Sequence, residues 1–292
     1  MLTANDILIR DPFILPDPEN GVYYMYGTCG NFGNDTPYPR FLVHKTRDLV
    51  HFEEPIEIFR ANDDFWATRD YWAPEVHKYN GKYYMFASFK HPDECRGTQI
   101  LVSDVPEGPF KPLCDRPVTP HDWECLDGTL WVENGKPYII FCHEWVQIHD
   151  GTMNAMPLTD DLTAPAGEVT VLFRASDPAW ADKTGEDFVT DGPFLFTMED
   201  GTLAMLWSSM IGGIHGSYAQ VLSVSESGSV LGPWRHVEKP LFDRDGGHGM
   251  LFTAFDGQKM LTLHRPNGRL TEHPRFFPVK EEGGTIVVGD PV

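Results

Sequence analysis

The sequence predicts an all-β protein: a five-bladed β-propeller, four antiparallel strands to a blade, with residues 1–292 forming one domain. Two repeats predict it. Asn-Gly or Asp-Gly pairs at 20–21, 80–81, 134–135, 200–201 and 256–257 recur at intervals of 60, 54, 66 and 56 residues. Each pair stands between short β-prone runs, where it closes a hairpin by supplying positive φ at little steric cost. Before each turn a polar residue opens a run of small or apolar ones: Asp11, Glu75, Asp127, Asp191 and His248, spaced by 64, 52, 64 and 57 residues. A five-fold recurrence at such a period marks a repeated supersecondary unit. No long amphipathic helix or low-complexity linker interrupts it, so no domain boundary is placed inside the chain.

The elements follow in order. Blade 1 opens with RDPFIL, turns at Asn20-Gly21, returns through VYYMYG and continues past KTRDLVHF (45–52). Blade 2 runs from YWAPEV through Asn80-Gly81 to KYYMFAS, then LVSDVPEGPF (101–110). Blade 3 has CLDGTLW, Asn134-Gly135, KPYIIFC and PLTDDLTAP (157–165). Blade 4 has VTDGPFLF, Asp200-Gly201, TLAMLWS and LSVSESGSVLGPW (222–234), and blade 5 opens with GGHGMLF before Asp256-Gly257 and QKMLTLH. The later segment of each of blades 1 to 4 reads as a third strand, a turn and an outer strand.

Composition sets further bounds. With 23 Lys and Arg against 43 Asp and Glu, the net charge of −20 opposes nucleic acid and anionic membrane surfaces as partners. No apolar run is long enough for a transmembrane helix. The start, MLTANDILIRDPF, lacks a basic region followed by an apolar core. The five cysteines are odd in number and form no Cys-x-x-Cys pair. Reduced thiols and a cytoplasmic location are therefore expected. Nothing in the sequence fixes an oligomeric state.

The innermost strands of a propeller run in one direction around the axis. Asp11, Glu75, Asp127, Asp191 and His248 should then ring one mouth of the channel, with Thr28, Ser88, Glu144, Ser208 and His264 in or near an outer ring. Four carboxyls converging with a histidine raise one another's pKa, an arrangement suited to acid–base chemistry or metal binding. Inverting glycoside hydrolysis, for one, needs two carboxyls about 6.5–9.5 Å apart.

RDPFI at 10–14, WAPEV at 72–76, LDGTLW at 126–131, DGP at 191–193 and GHG at 247–249 together resemble glycoside hydrolase family 43, over about residues 8 to 270. That family comprises five-bladed arabinanases, α-L-arabinofuranosidases and β-xylosidases. The resemblance implies hydrolysis of pentose-containing plant oligosaccharides with inversion. It implies Asp11 as the base that activates water and Asp127 as the carboxylate that tunes and holds the acid, although Gly128 replaces the usual Pro. The family's acid is the Glu of Glu-Gly-Pro, whereas here Asp191 precedes Gly192-Pro193 and reaches less far. Glu144, beside Cys142, His143 and Trp145, is the rival proton donor, and the sequence leaves the two open.

The resemblance further implies that His248 sits where several members hold a calcium ion largely through water; no cofactor is otherwise required. Glu75 is expected to shape the pocket or bind a sugar hydroxyl. Of the aromatics near strand ends, Trp66, Tyr71, Trp72, Trp145 and Trp207, we expect Trp72 and Trp145 to form sugar-binding walls, with His264 and Arg265 as further lining. HEWVQIH (143–149) is discounted as a zinc motif, because its second histidine comes one residue late. Loops at 30–40, 61–70 and 178–188 are candidates to enclose an end of the substrate. Without a leader, small imported oligosaccharides and exo action are favoured. The alternatives are a propeller that binds carbohydrate without cleaving it, and a glycosidase of a related five-bladed family acting on another sugar. A protein-interaction propeller fits poorly, since regular Gly-His and Trp-Asp repeats are missing.

Overall fold

The computed structural model describes residues 1–29, 40–268 and 270–292. All five predicted turns close a hairpin between the first and second strand of a sheet, and all five turn glycines have positive φ, from 61° at Gly21 to 89° at Gly201. At Asn80-Gly81 and Asn134-Gly135 both residues are left-handed, the geometry that matches the twist of the flanking strands.

The hairpins extend into five four-stranded antiparallel sheets, each with its strands in chain order. The first strands are Ile9–Asp17, Arg69–Tyr79, Cys125–Glu133, Asp191–Thr197 and Gly247–Thr253, and they touch one another around the centre. The second strands are Val22–Cys29, Lys82–Lys90, Lys136–His143, Leu203–Ile211 and Lys259–Arg265. Outer strands can be as short as Lys111–Pro112 and Trp234–His236. The helices among the described residues are short, a 3-10 turn at Ala4–Asp6 and an α-helical turn at Trp145–Ile148. Apolar faces of adjacent blades bury one another; Tyr26, Phe41, Phe86, Phe141 and Trp207 are all inaccessible to solvent. Trp207 is thus core, its indole N–H donating to Ser223 Oγ at 2.8 Å, and Tyr71 is also buried, donating to the Ala67 carbonyl at 2.8 Å.

Every first strand breaks register near its start. The pairing skips at Asp11-Pro12, around Ala73, at Asp127-Gly128, at Gly192-Pro193 and at His248-Gly249. In each break one residue is left-handed: Asp11 (φ 53°), Ala73 (46°), Asp127 (55°), Gly192 (50°) and His248 (51°). These five are structural equivalents, one β-bulge to a blade, and a bulge bends the strand and re-aims its side chain. The bulges also correct the expected ring. In blade 2 the equivalent of Asp11 is Ala73, two residues before Glu75, and in blade 4 it is Gly192, one after Asp191. The sequence pattern shows polar residues, whereas the repeat is a backbone feature that Ala and Gly can occupy silently.

A second repeat ties the blades together. The amide of each bulge residue donates to a side chain from the previous blade: Ala73 to Thr28 (2.7 Å), Asp127 to Ser88 (2.9 Å), His248 to Ser208 (2.7 Å) and Asp11 to His264 (3.2 Å). Blade 3 has Cys142 at the corresponding register, not Glu144. There the Gly192 amide donates instead to Asp127 Oδ2 at 3.0 Å. The circle closes between blades 5 and 1 without a shared sheet, through Ile9 N–H to the Glu272 carbonyl (3.1 Å) and Arg10 to the Glu272 carboxylate (3.1 Å).

Candidate active site

The bulges deliver their side chains to one cavity of about 340 Å³, lined by Arg10, Asp11, Thr28, Trp72, Leu126, Asp127, Glu144, Trp145, Asp191 and His248. Three sequence candidates lie elsewhere. Glu75 is not part of the lining and pairs with His77 Nε2 at 3.2 Å, although its charge still reaches Asp127; its strand has already passed the bulge. His264 is fully buried behind Asp11, stacked on Tyr218 with centroids 5.5 Å apart. Arg265 is exposed, and its Nε donates to the Arg244 carbonyl at 2.7 Å. Of the loops, 61–70 and 178–188 contribute nothing to the lining, and 30–39 lies outside the described residues. Trp66 is turned to Gln99.

Asp11 is built to stay ionised. Thr28 accepts the Ala73 amide and so directs its own proton to Asp11 Oδ2, at 2.6 Å. His248 Nδ1 stands 3.2 Å from Asp11 Oδ1, and Arg10 Nε 3.9 Å from the same oxygen. Burial pushes the carboxyl up, but its neighbours, His248 and Arg10 foremost and the Thr28 hydrogen bond among them, together more than offset it and hold Asp11 below the usual carboxylate range. His264 takes no charge here. Its Nδ1 accepts the Asp11 amide, its Nε2 lies 3.2 Å from Asn267 Oδ1, and burial with the nearby Arg10 lowers it to about 3.

Asp127 and Asp191 are driven the other way. Burial, then the charge of Asp11, pushes Asp127 well up. Burial, then Asp127, raises Asp191 to about 7, although His248 and the Tyr218 hydroxyl oppose the rise. That hydroxyl donates to Asp191 Oδ2 at 3.0 Å. Burial also raises Glu144, against the pull of Arg96, whose Nε donates to Glu144 Oε2 at 3.0 Å. One cavity therefore holds a carboxyl kept ionised beside carboxyls inclined to keep a proton.

His248 was the expected calcium neighbour. Its Nδ1 faces Asp11 and Asp127, at 3.2 and 3.6 Å, and its ring packs against Gly192, where an added Cβ would fall 2.7 Å away. Among the described residues no group of three or more His, Cys, Asp or Glu side chains is arranged to hold a metal directly.

Sequence reasoning missed Arg96 and Tyr218. Arg96 immediately precedes the third strand of blade 2, Gly97–Ser103, and Tyr218 is the second residue of the third strand of blade 4, Ser217–Ser225. A third strand runs parallel to the first, so residues opening it return to the level of the cavity. That signal was present in the repeat.

Known proteins agree with this architecture. The chain is 24% identical over 289 residues, 93% of its length and 80% of the relative's, to an extracellular exo-α-(1→5)-L-arabinofuranosidase of Streptomyces chartreusis. It is 39% identical to an endo-arabinase structure from Bacteroides thetaiotaomicron, with a TM-score of 0.89 covering 98% of this chain and 99% of that one. A thermostable family-43 glycoside hydrolase, 24% identical, has the same fold, with a TM-score of 0.84 over 98% of this chain and 94% of its own. The family model of the glycosyl hydrolases family 43 matches residues 6–282, nearly the whole propeller. The chain belongs to glycosyl hydrolases family 43 and is a glycosidase.

Proposed function

We propose that the protein hydrolyses arabinofuranosyl bonds of pentose-containing oligosaccharides by single displacement, with Asp11 activating water and Asp191 protonating the leaving oxygen. The observation that carries this is the opposed protonation of two buried carboxyls in one cavity, Asp11 held low and Asp191 raised to about 7. A base must be ionised and an acid protonated at the same pH, and only such a split supplies both. Asp127 anchors the acid's backbone by accepting the Gly192 amide, and a second carboxyl so close makes ionisation of Asp191 costlier, which adds to the effect of burial.

Glu144 fits the donor's role less well. Burial raises it on balance, but its partner Arg96 opposes the rise and occupies Oε2, whereas the hydrogen-bond partner of Asp191 is the neutral Tyr218 hydroxyl. The arabinose preference draws on the names of the relatives above. The cavity, near the small end of the roughly 300–1,000 Å³ range of ligand pockets, suits one end of a chain over its middle.

Aryl α-L-arabinofuranosides and β-D-xylosides with leaving groups of graded pKa test the assignment. Asp11→Asn should abolish turnover of all of them. Asp191→Asn should reduce hydrolysis of poor leaving groups far more than of activated ones, while Glu144→Gln should show no such gradient. NMR should find the inverted anomer first. A retained anomer would remove the water-activating role from Asp11, and a leaving-group gradient in Glu144→Gln alone would transfer the donor's role to Glu144.

A further inference from the structure

Arg96 does not line the cavity, yet it joins two residues that do, from different blades. Its guanidinium lies 3.9 Å from the centroid of the Trp72 ring. The same group donates through Nε to Glu144 Oε2 at 3.0 Å and through NH1 to Asp70 Oδ2 at 3.2 Å, and the Arg96 amide donates to Glu124 Oε2 at 2.9 Å. The side chain is buried, with 8% exposure. Only a planar fork can stack on a ring and bind two carboxylates at once; a lysine ammonium cannot. Glu144 Oε2 is thereby engaged, while Oε1 receives no hydrogen bond from any described residue.

We infer that Arg96 is a positioning residue that holds Trp72 and Glu144 as two sides of one sugar-binding subsite, in which Glu144 Oε1 accepts a hydroxyl of the pentose. The Trp72 face turned from Arg96 meets the C–H face of the ring, and Glu144 Oε1 fixes its rotation. This rests on the cavity being the sugar site. Glu144 then serves binding through Oε1 while Arg96 holds Oε2.

With the aryl substrate para-nitrophenyl α-L-arabinofuranoside, both kcat and KM are to be followed across the neutral and mildly acidic range for the wild type, Arg96→Lys, Arg96→Met, Arg96→Met/Glu144→Gln and Asp11→Asn. Arg96→Lys, which keeps the charge in case Arg96→Met fails to fold, should raise KM about tenfold, the scale of one misplaced hydrogen bond between a sugar hydroxyl and Glu144, with kcat falling far less. In Arg96→Met the buried Glu144 loses its hydrogen-bonded cation, keeping only the more distant Lys90 against Glu124, and holds its proton to higher pH, so KM should fall as pH rises through the new ionisation. The double variant should lose that pH dependence. An unchanged KM in Arg96→Lys, or an Arg96→Met variant whose KM follows pH as the wild type's does, overturns the inference. Asp11→Asn separates the two levels: wild-type turnover there would mean that the cavity is not the catalytic site, whereas an inactive Asp11→Asn beside an unaltered Arg96→Lys sinks the role of Arg96 alone.

Discussion

Asp191 stands where the sequence resemblance implies a glutamate one methylene longer, and the neighbourhood of the side chain shows how it is held. Tyr218, fully buried and stacked on His264, donates to Asp191 Oδ2 at 3.0 Å, which leaves Oδ1 to carry the transferable proton. The proposed roles fix the signs of the pH profile. Activity should be lost on the acid side as Asp11, held below the usual carboxylate range, takes a proton. It should be lost on the alkaline side as Asp191 ionises near 7. The Tyr218 hydroxyl stabilises the ionised form of Asp191, so Tyr218→Phe should move the alkaline limb of kcat/KM upward and lower kcat about tenfold, the scale of one charge-assisted hydrogen bond. A limb that stays near 7 in that variant would detach the limb from Asp191.

At the scale of the element, the bulge is the unit that makes the site. It turns Asp11, Asp127 and His248 into the channel and hands each backbone amide to the preceding blade. Ser208→Ala would strand the buried His248 amide, whose 2.7 Å acceptor it removes, at a cost of about 1–3 kcal/mol that urea denaturation should register. Because the same amide fixes the His248 ring beside Asp11, kcat should fall as well. Asp11, Asp127 and His248 were legible because the bulge residue itself carries a polar group. Ala73 and Gly192 were not, since neither side chain signals the bulge, and the nearest polar neighbours, Glu75 and Asp191, stood in for them. Glu75 lost its place in the ring through that two-residue shift, while Asp191 kept a place in the cavity because it directly precedes the bulge. The turns were legible throughout, because Asn-Gly and Asp-Gly name their conformation directly.

For the whole molecule, blade number and order could be counted from the turn period, but the way the ring closes could not, because it depends on single contacts between residues some 260 positions apart. Blade 5 takes all four of its strands from the C-terminal end, so no strand of blade 1 is shared with it. One tie across the seam, beside the Asp11 amide to His264, is Glu272, which is wholly buried. Its carbonyl accepts the Ile9 amide, and its carboxylate accepts Arg10 at 3.1 Å and the Thr271 amide at 3.0 Å. Arg10 in turn stands beside Asp11, so the residue that joins the first blade to the last also borders the proposed base. Glu272→Ala would remove one of the two carboxylates that face the partly buried Arg10 guanidinium and should destabilise the fold by about 3 kcal/mol, whereas Glu272→Gln keeps an acceptor and should cost less than half of that. Hydrogen exchange distinguishes a loosened seam from general weakening. The Ile9 amide should exchange faster in Glu272→Ala at pH 7, while amides in the blade 3 strand Lys136–His143 keep the order of protection they have in the wild type. Equal acceleration in both places would mean that the seam opens only with the entire propeller, and that closure is shared among all five inter-blade contacts.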